Sequence, residues 1–208
     1  MPKLPPDRTT RRRVETRQRL LAAAAEVFSR QGFGRSTVEQ ICSDAGYTRG
    51  AFYSNFDSLD ELFLAMWEER SRLEYEQLAA ATAAAAQEST SSLDEAVARV
   101  VAATPVDERW YRITAEFTAH ALRNPDLRRV VADREEKIIA VITPILEELL
   151  EKFGRRVTDP SALGHAVVAV HDGTMTQCLV EDDTAAAYRR RSELFATITR
   201  QYSEDVSA

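Results

Sequence analysis

The chain has 208 residues, of which 44% are hydrophobic and 29% charged, with only seven glycines and seven prolines. This balance is typical of a globular protein and favours helices, because Gly and Pro weaken them, so we predict an all-α fold. No apolar run approaches the roughly 20 residues that a membrane-spanning helix needs, and none follows the basic N-terminus. We therefore expect a cytoplasmic protein without a membrane span or a signal sequence.

The net charge of −6 is unevenly distributed along the chain. Residues 1–60 carry ten Lys/Arg and seven Asp/Glu and thus a charge of +3, whereas the remainder carries −9. This asymmetry is typical of a cationic DNA-facing module attached to an acidic body. Two cysteines, Cys42 and Cys178, lie far apart in sequence, and we expect them to be reduced and buried.

The first two predicted elements are a basic arm and an amphipathic helix. Residues 1–13 hold three prolines and several arginines without apolar periodicity, so we predict a disordered arm. From Glu15 to Gln31, apolar residues recur at steps of three and four, which predicts a helix ended by Gly32.

A short second helix is predicted from two overlapping capping boxes. Ser36 with Glu39 and Thr37 with Gln40 both match the pattern in which a hydroxyl and a side chain three residues on satisfy the first free backbone groups. Gly46 is expected to end this helix.

A brief third helix is predicted after a tight turn. Thr48 is placed to cap it, and Phe52 and Phe56, one turn apart, form its buried stripe. Two short helices joined by a glycine-containing turn are typical of a helix-turn-helix.

The rest of the chain is predicted to be helical, which gives about nine helices in total. A capping box at Ser58 opens a long helix, and Asp159–Pro160 is a strong start signal for the penultimate one. The five helices after the long one are expected at about 92–103, 106–122, 125–153, 160–180 and 184–202. We divide the chain into the arm (1–13), a DNA-binding domain (14–60, motif 37–56) and a helical ligand-binding and dimerisation domain (61–208).

The outer face of the third helix has the chemistry of a groove-reading surface. It is narrow, because its residues are small, and Arg49 in its first turn can donate two hydrogen bonds to a guanine edge. Tyr53 and Asn55 can donate to phosphates, as can the hydroxyl and a free backbone N–H of Thr37. We expect the arm's arginines to contact the minor groove or phosphates. The predicted DNA contacts are Arg11, Arg12, Arg13, Thr37, Tyr47, Thr48, Arg49, Gly50, Ala51, Tyr53, Ser54 and Asn55.

The run from Thr37 to Phe56, TVEQICSDAGYTRGAFYSNF, resembles the DNA-binding motif of the TetR family of transcriptional regulators. The resemblance covers about residues 15–66 closely and the remainder loosely. The family often has His where Asn55 stands and a phosphate-binding Lys where Leu59 stands.

The resemblance implies a sequence-specific DNA-binding regulator, most often a repressor, that binds a palindromic operator as a homodimer and is released by a small-molecule inducer. Family dimers usually join through their last two helices, here residues 160–180 and 184–202, whose apolar faces include Val167, Val170 and Met175. The resemblance also implies a cavity for an apolar or amphipathic ligand. Its candidate lining is Trp67, Trp110, Tyr111, Glu116, Phe117, His120, Met175 and Gln177.

Other classes of function stay open at this point. His171 and Cys178 lie seven residues apart on one helical face, with Asp172 beside them, so a metal sensor is one alternative. Zinc or nickel sites need three or four ligands, and we expect no metal, no cofactor and a core or interface role for these residues. An enzyme is a second alternative, but no nucleophile elbow, phosphate loop or carboxylate pair is present. A DNA-binding regulator without a ligand is the third.

Overall fold

The computed structural model describes residues 8–87, 92–104 and 106–206. This part of the chain contains nine α-helices, as predicted, together with one 3-10 turn and two short strands. The helices are α1 (Arg8–Gln31), α2 (Val38–Ala45), α3 (Arg49–Tyr53), α4 (Leu59–Gln87), α5 (Leu93–Ala102), α6 (Glu108–Ala121), α7 (Pro125–Lys152), α8 (Pro160–Val180) and α9 (Thr184–Gln201), the 3-10 turn is Phe33–Arg35, and the strands are β1 (Arg155–Val157) and β2 (Ser203–Asp205).

The chain divides into two compact units. The first contains the described residues up to Ser71 together with 112–120 from α6, and the second contains 72–111 and the residues from Ala121 onward. The boundary predicted after residue 60 differs from this division, because α4 runs on without a break and because part of α6 belongs to the first unit. The assignment of separate roles to two domains stays a prediction.

The start of α1 corrects the prediction of a disordered arm. The helix begins at Arg8, so residues 8–13 are helical, whereas residues 1–7 lie outside the described part. All three prolines of the predicted arm precede Arg8, and Arg is a good helix former. Residues 8–13 show no apolar periodicity, which is why the pattern suggested disorder.

The first unit is built around an aromatic core. The predicted apolar face of α1 is buried, with Phe28 at 1% exposure. Phe63 of α4 and Phe117 of α6 stack with ring centroids 3.8 Å apart, and Phe33 packs edge-on against both, at 5.6 Å and 5.1 Å. Buried aromatic pairs in these geometries stabilise a core beyond the area that they remove from water.

The second unit has an aliphatic core formed by its helices. Val97 and Val101 of α5 pack with Phe195 and Ala196 of α9 in one cluster, and Leu146 and Leu150 of α7 pack with Leu163 of α8 in another. Val167 and Val170 of α8 pack against the first of these clusters, and Met175 is buried. Val167 and Val170 are thus partly buried and Met175 is buried within their own chain, and the prediction that these residues lie on a dimer-forming face stays a prediction.

A two-stranded antiparallel sheet, which the sequence did not predict, joins the end of α7 to the C-terminal segment. Arg155 pairs with Asp205, and Val157 pairs with Ser203. The Arg155 side chain also donates to the Ser203 hydroxyl at 2.8 Å and to its carbonyl at 2.7 Å. Strands of three residues carry too few alternating positions to be recognised from their pattern.

Two helix starts of the second unit are capped by side chains: the Asp159–Pro160 start was predicted from its cap, whereas the start at Ser92 was predicted in position only. The Ser92 hydroxyl accepts from the N–H of Glu95 at 3.2 Å, and the Asp159 carboxylate accepts from the N–H of Ala162 at 2.9 Å with Pro160 in the first turn. Among the described helices, none combines the length and apolar character required to cross a membrane.

Candidate nucleic-acid interface

Helix α2 begins at a complete capping box. The Thr37 hydroxyl accepts from the N–H of Gln40 at 3.3 Å, and the Gln40 side chain accepts from the N–H of Thr37 at 2.9 Å. Because this bond occupies the Thr37 N–H, the prediction that it is a free donor for phosphate was wrong. The hydroxyl can still donate its own hydrogen.

The second predicted box, Ser36 with Glu39, does not form. Ser36 is 8% exposed, and its hydroxyl donates backwards to the carbonyl of Gly32 at 2.7 Å. The Glu39 side chain points elsewhere and forms an ion pair with Arg49. Only one hydroxyl caps the start of α2, and it is that of Thr37, because the extended backbone of Thr37 has the geometry of an N-cap residue.

The turn between α2 and α3 is stabilised by backbone hydrogen bonds. Gly46 adopts a left-handed conformation with φ 71°, and the N–H of Tyr47 donates to the carbonyl of Cys42 at 2.9 Å. A side chain at Gly46 would be disfavoured in this conformation, so glycine is the natural helix terminator. The Thr48 hydroxyl then accepts from the N–H of Ala51 at 3.2 Å and starts α3, as predicted.

Helix α3 has one buried and one exposed face. Phe52 and Phe56 are at most 1% exposed, which confirms the predicted buried stripe. The Arg17 guanidinium lies over the Phe56 ring, with its Cζ 4.5 Å from the ring centroid. The opposite face consists of the exposed residues Arg49, Gly50, Tyr53 and Ser54.

Arg49 is held from two sides although it is exposed. Its Nη1 lies 2.7 Å from Glu39 Oε1, and its Cζ lies 5.8 Å from the Tyr53 ring centroid. The pKa of Arg49 is raised above its ordinary value, first by a hydrogen bond with the Tyr53 side chain and then by the Glu39 carboxylate. The guanidinium is therefore a positive charge that these two contacts hold at the start of α3.

A depression of about 390 Å³ lies beside α3, between that helix and the N-terminal turns of α1. Arg13 Nη2 approaches the Ser54 carbonyl at 3.4 Å across it. Because α1 is helical here, it places arginines next to α3. The residues that line the depression are Arg12, Arg13, Thr16, Tyr47, Ala51, Ser54 and Asn55. Six of these seven were predicted DNA contacts; the side chain of Arg11 lies outside the described part.

The Asn55 amide is used within α3. Its Nδ2 donates to the Ala51 carbonyl at 2.8 Å and lies 3.2 Å from the Ser54 hydroxyl. Its Oδ1 is buried without a hydrogen-bond partner. The Asn55 amide thus closes the turn at the end of α3 through its N–H, and its role as a donor to phosphate stays a prediction.

Four of the predicted ligand-binding residues lie in the first unit. Phe117 is fully buried, and Trp67 packs against Phe63 with ring centroids 5.6 Å apart. The His120 ring lies 3.2 Å from the Asp60 carboxylate. Glu116 Oε2 accepts the N–H of Phe33 at 2.7 Å and so supports the turn after α1.

The other four predicted ligand-binding residues lie in the second unit. The Tyr111 hydroxyl and the Thr176 hydroxyl are hydrogen bonded at 2.7 Å. Gln177 Oε1 accepts from Arg190 Nε at 3.2 Å. Met175 is buried, and Trp110 is half-buried in the first turn of α6. A ligand-binding role for all eight residues stays a prediction.

A buried arginine in the second unit was missed by sequence analysis. Arg191 is 1% exposed, and its Nη1 donates to the Thr174 hydroxyl at 2.7 Å. Its Nη2 lies 3.1 Å from His171 Nδ1. Desolvation and this cation lower the pKa of His171 to about 4. Nothing in the spacing of Arg191 distinguishes it from the two arginines that precede it, the exposed Arg189 and the half-buried Arg190.

The metal-sensor alternative receives little support from this geometry. Among the described residues, no group of three or more His, Cys, Asp or Glu side chains is placed to hold a metal ion. Burial raises the pKa of the Cys178 thiol. Both cysteines are free and buried, as predicted.

A capped α2, a glycine turn and a short α3 with an exposed polar face define a helix-turn-helix protein with an all-α body. Comparison with protein families agrees. The family model for bacterial regulatory proteins of the tetR family matches residues 20–66. The model for the C-terminal part of BetI-type transcriptional repressors matches residues 89–201, more than half of the chain. The chain therefore belongs to the TetR family of bacterial regulatory proteins.

Curated relatives match mainly in the N-terminal region. The chain is 39% identical over 61 residues to the transcriptional regulator AcrR of Shigella flexneri, 29% of this chain and 28% of that protein. It is 48% identical over 52 residues to SrpR of Pseudomonas putida, 25% and 24% of the two chains. Both alignments thus span about a quarter of the relative's length. A transcriptional repressor of Mycobacterium tuberculosis is 28% identical over 159 residues, 76% of each chain.

Solved structures share the fold over nearly the whole chain. A TetR-family regulator from Mesorhizobium loti has a TM-score of 0.69 at 16% identity and covers 92% of this chain and 96% of its own. A TetR-family regulator from Streptomyces coelicolor has a TM-score of 0.63 at 24% identity and covers 91% of each chain. These likenesses concern the fold, which is all-α with an N-terminal helix-turn-helix.

Proposed function

We propose that this protein is a sequence-specific DNA-binding transcriptional regulator that reads its operator with α3. The observation that supports this most strongly is the exposed face of α3. It carries Arg49, Gly50 and Tyr53 directly beside the depression lined by Arg12 and Arg13. A slim polar helix flanked by cations matches both the width and the charge of a DNA major groove.

The contacts divide into two kinds. Arg49 lies in the first turn of α3, from which a side chain can reach base edges, and its guanidinium retains N–H groups for a guanine. Arg12, Arg13 and Tyr53 are suited to phosphates on either side, since they carry donors without a base-specific pattern. Thr37, Tyr47, Thr48, Ala51, Ser54 and Asn55 complete the proposed contact surface.

A homodimer on a palindromic operator is the assembly that we propose. Two copies of α3 related by a two-fold axis would enter successive major grooves, which a single short helix cannot do. The support for pairing through α8 and α9 is the family relationship together with two exposed apolar side chains on these helices, Val180 at 70% and Leu194 at 37% exposure. These residues are further candidates for contact beside the partly buried Val167 and Val170 and the buried Met175.

Repression relieved by a small molecule is the proposed mode of regulation. Its support is the match to the C-terminal part of repressors of the BetI type and the repressor name of the Mycobacterium tuberculosis relative. A ligand can lower DNA affinity only if it binds the DNA-free conformation more tightly than the DNA-bound one.

The proposal is tested by selecting duplexes from a random pool with the full-length protein and with Arg49→Ala. We expect the wild-type protein to enrich one palindromic sequence and Arg49→Ala to lose preference at one guanine in each half-site, at a cost of about 1–3 kcal/mol. Arg129→Ala is the matched control, because Arg129 is a largely exposed arginine of α7 in a surface ion pair. An unchanged preference in Arg49→Ala would exclude α3 as the reading element.

A further inference from the structure

We propose that Glu39 of α2 is a specificity-determining residue that positions Arg49 for its base contact. The inference rests on the proposed function, since it concerns how the reading arginine is held before DNA arrives. Glu39 is not among the residues that the sequence suggested as DNA contacts. The sequence suggested only that it takes part in a capping box, which does not form.

The geometry places the carboxylate at the reading end of α3. Glu39 Oε1 lies 2.7 Å from Arg49 Nη1, and the Tyr53 ring lies on the guanidinium at 5.8 Å. The arginine is thus held by a neighbouring helix and by the next turn of its own helix. One of its five N–H donors serves Glu39 and another the Tyr53 side chain, which leaves three for a base.

Stability does not account for this pair. The Glu39 and Arg49 side chains are 55% and 61% exposed, and ion pairs with such exposure contribute little to folding because water and salt screen them. Glu39 is also a negative charge on a surface that must approach phosphates, which on its own would weaken DNA binding. Its position is therefore understood best through its effect on Arg49.

Restricting Arg49 in advance would sharpen discrimination. A free arginine samples many rotamers, and fixing it on binding costs conformational entropy. A guanidinium already held at one orientation presents its donors only where a guanine offers two acceptors, so other bases at that position lose more.

The test compares Glu39→Gln with a matched control in the same protein. Gln keeps the size of the side chain and removes its charge. Asp44→Asn is the control, because Asp44 is also an acid of α2 in an exposed ion pair, with Arg30 rather than Arg49. Both variants remove one negative charge, so both are expected to bind nonspecific duplex about two-fold more tightly or equally well.

Only Glu39→Gln is expected to change sequence preference. The preference for guanine at the position that depends on Arg49 should fall about five-fold, part of what a bidentate base contact supplies. The preference at other positions should stay within two-fold. In an Arg49→Ala background, Glu39→Gln should have no further effect on preference, since the residue acts through Arg49. Glu39→Ala should give the same pattern as Glu39→Gln.

Several results would overturn this role. If Glu39→Gln retained the full guanine preference, or tightened binding to all duplexes by one factor, the carboxylate would be only a repulsive charge. A loss of preference that persisted in the Arg49→Ala background would mean that Glu39 acts independently. Both results presuppose that the wild-type protein selects a site; if it selects none, the proposed function itself fails and this inference fails with it.

Discussion

Substitution of Gly32 by Ala should destabilise the first unit strongly. Gly32 connects α1 to the 3-10 turn with φ 84° and ψ 156°, a conformation that L-residues with a side chain rarely adopt. A Cβ at this position would lie 2.3 Å from Glu116 Oε2, well inside contact distance. The same carboxylate oxygen accepts the N–H of Phe33 at 2.7 Å. The methyl group would therefore both strain the backbone at residue 32 and displace the hydrogen bond between Phe33 and Glu116.

Two contributions give the expected magnitude. Backbone strain in this region costs about 1–3 kcal/mol. Losing a hydrogen bond to a carboxylate adds about 1.5 kcal/mol, the lower part of the range for charged acceptors, because Glu116 is exposed on its outer side. The free energy of unfolding should fall by about 3 kcal/mol, which for a chain of this length corresponds to roughly 6–12 °C in Tm.

Unfolding of the first unit can be followed by itself. The chain has two tryptophans, and Trp110→Phe leaves Trp67, which lies in the first unit, as the single fluorescent indole. Urea titrations at constant protein concentration then compare Gly32→Ala with Gly34→Ala. A Cβ at Gly34 meets nothing within 4 Å, so this control should change stability by less than about 0.5 kcal/mol.

A double-mutant cycle separates the two contributions. Glu116→Ala alone removes the hydrogen bond, and adding Gly32→Ala then costs only the backbone strain. The two single substitutions should therefore sum to about 1.5 kcal/mol more than the double substitution. If Gly32→Ala were tolerated as well as Gly34→Ala, or if the two effects were additive, the described turn would be wrong.

Three further predictions concern other parts of the molecule. Arg155→Ala should lower the free energy of unfolding of the second unit by about 1.5–3 kcal/mol, because this largely buried side chain joins β1 to β2. The control is Arg156→Ala, at a side chain that is 73% exposed, which should cost less than about 0.5 kcal/mol in thermal unfolding. Equal costs for the two substitutions would contradict this prediction. The pKa of His171 is lowered to about 4, so its neutral form is favoured on folding. The associated stability should be complete above the ordinary His pKa of about 6.5 and decline as the pH falls toward 4. Since His171 is an exposed residue even though its ring lies against Arg191, solvent screens the effect and we expect a loss of only about 1 kcal/mol. His171→Gln should remove this pH dependence relative to wild type in denaturant titrations; an identical pH profile would refute it. Arg12→Ala combined with Arg13→Ala should reduce the slope of log affinity against log salt by about 2 for any duplex while sparing sequence preference, and an unchanged slope would remove these arginines from the DNA contacts.

The features that the sequence predicts correctly are those encoded by neighbouring residues. The hydroxyls of Thr37 and Thr48 and the carboxylate of Asp159 each cap a helix through an N–H three residues away. The buried stripe of α3, Phe52 and Phe56, follows from the helical period alone. The order and number of helices, and the position of the helix-turn-helix, were accessible for this reason.

The features that the sequence does not predict depend on partners that are distant in the chain or that compete locally. Glu116 supports Phe33 from 83 positions away, and Arg155 reaches Ser203 across 48. Locally, Ser36 and Thr37 compete for one helix end, and only backbone geometry decides between them. The helical start of α1 was missed because residues 8–13 show no apolar pattern. The pairing of Glu39 with Arg49 was missed because both residues already had plausible local roles.

We propose that the exposed face of α3 distinguishes one DNA sequence from others. The most direct measurement is a competition titration at about 150 mM salt, in which the full-length protein is offered a labelled duplex carrying the selected palindrome and unlabelled duplexes of the same composition in shuffled order. We expect the palindrome to bind at least about 1,000-fold more tightly than the shuffled duplexes. Equal affinity for both, in the absence of any added small molecule, would contradict it.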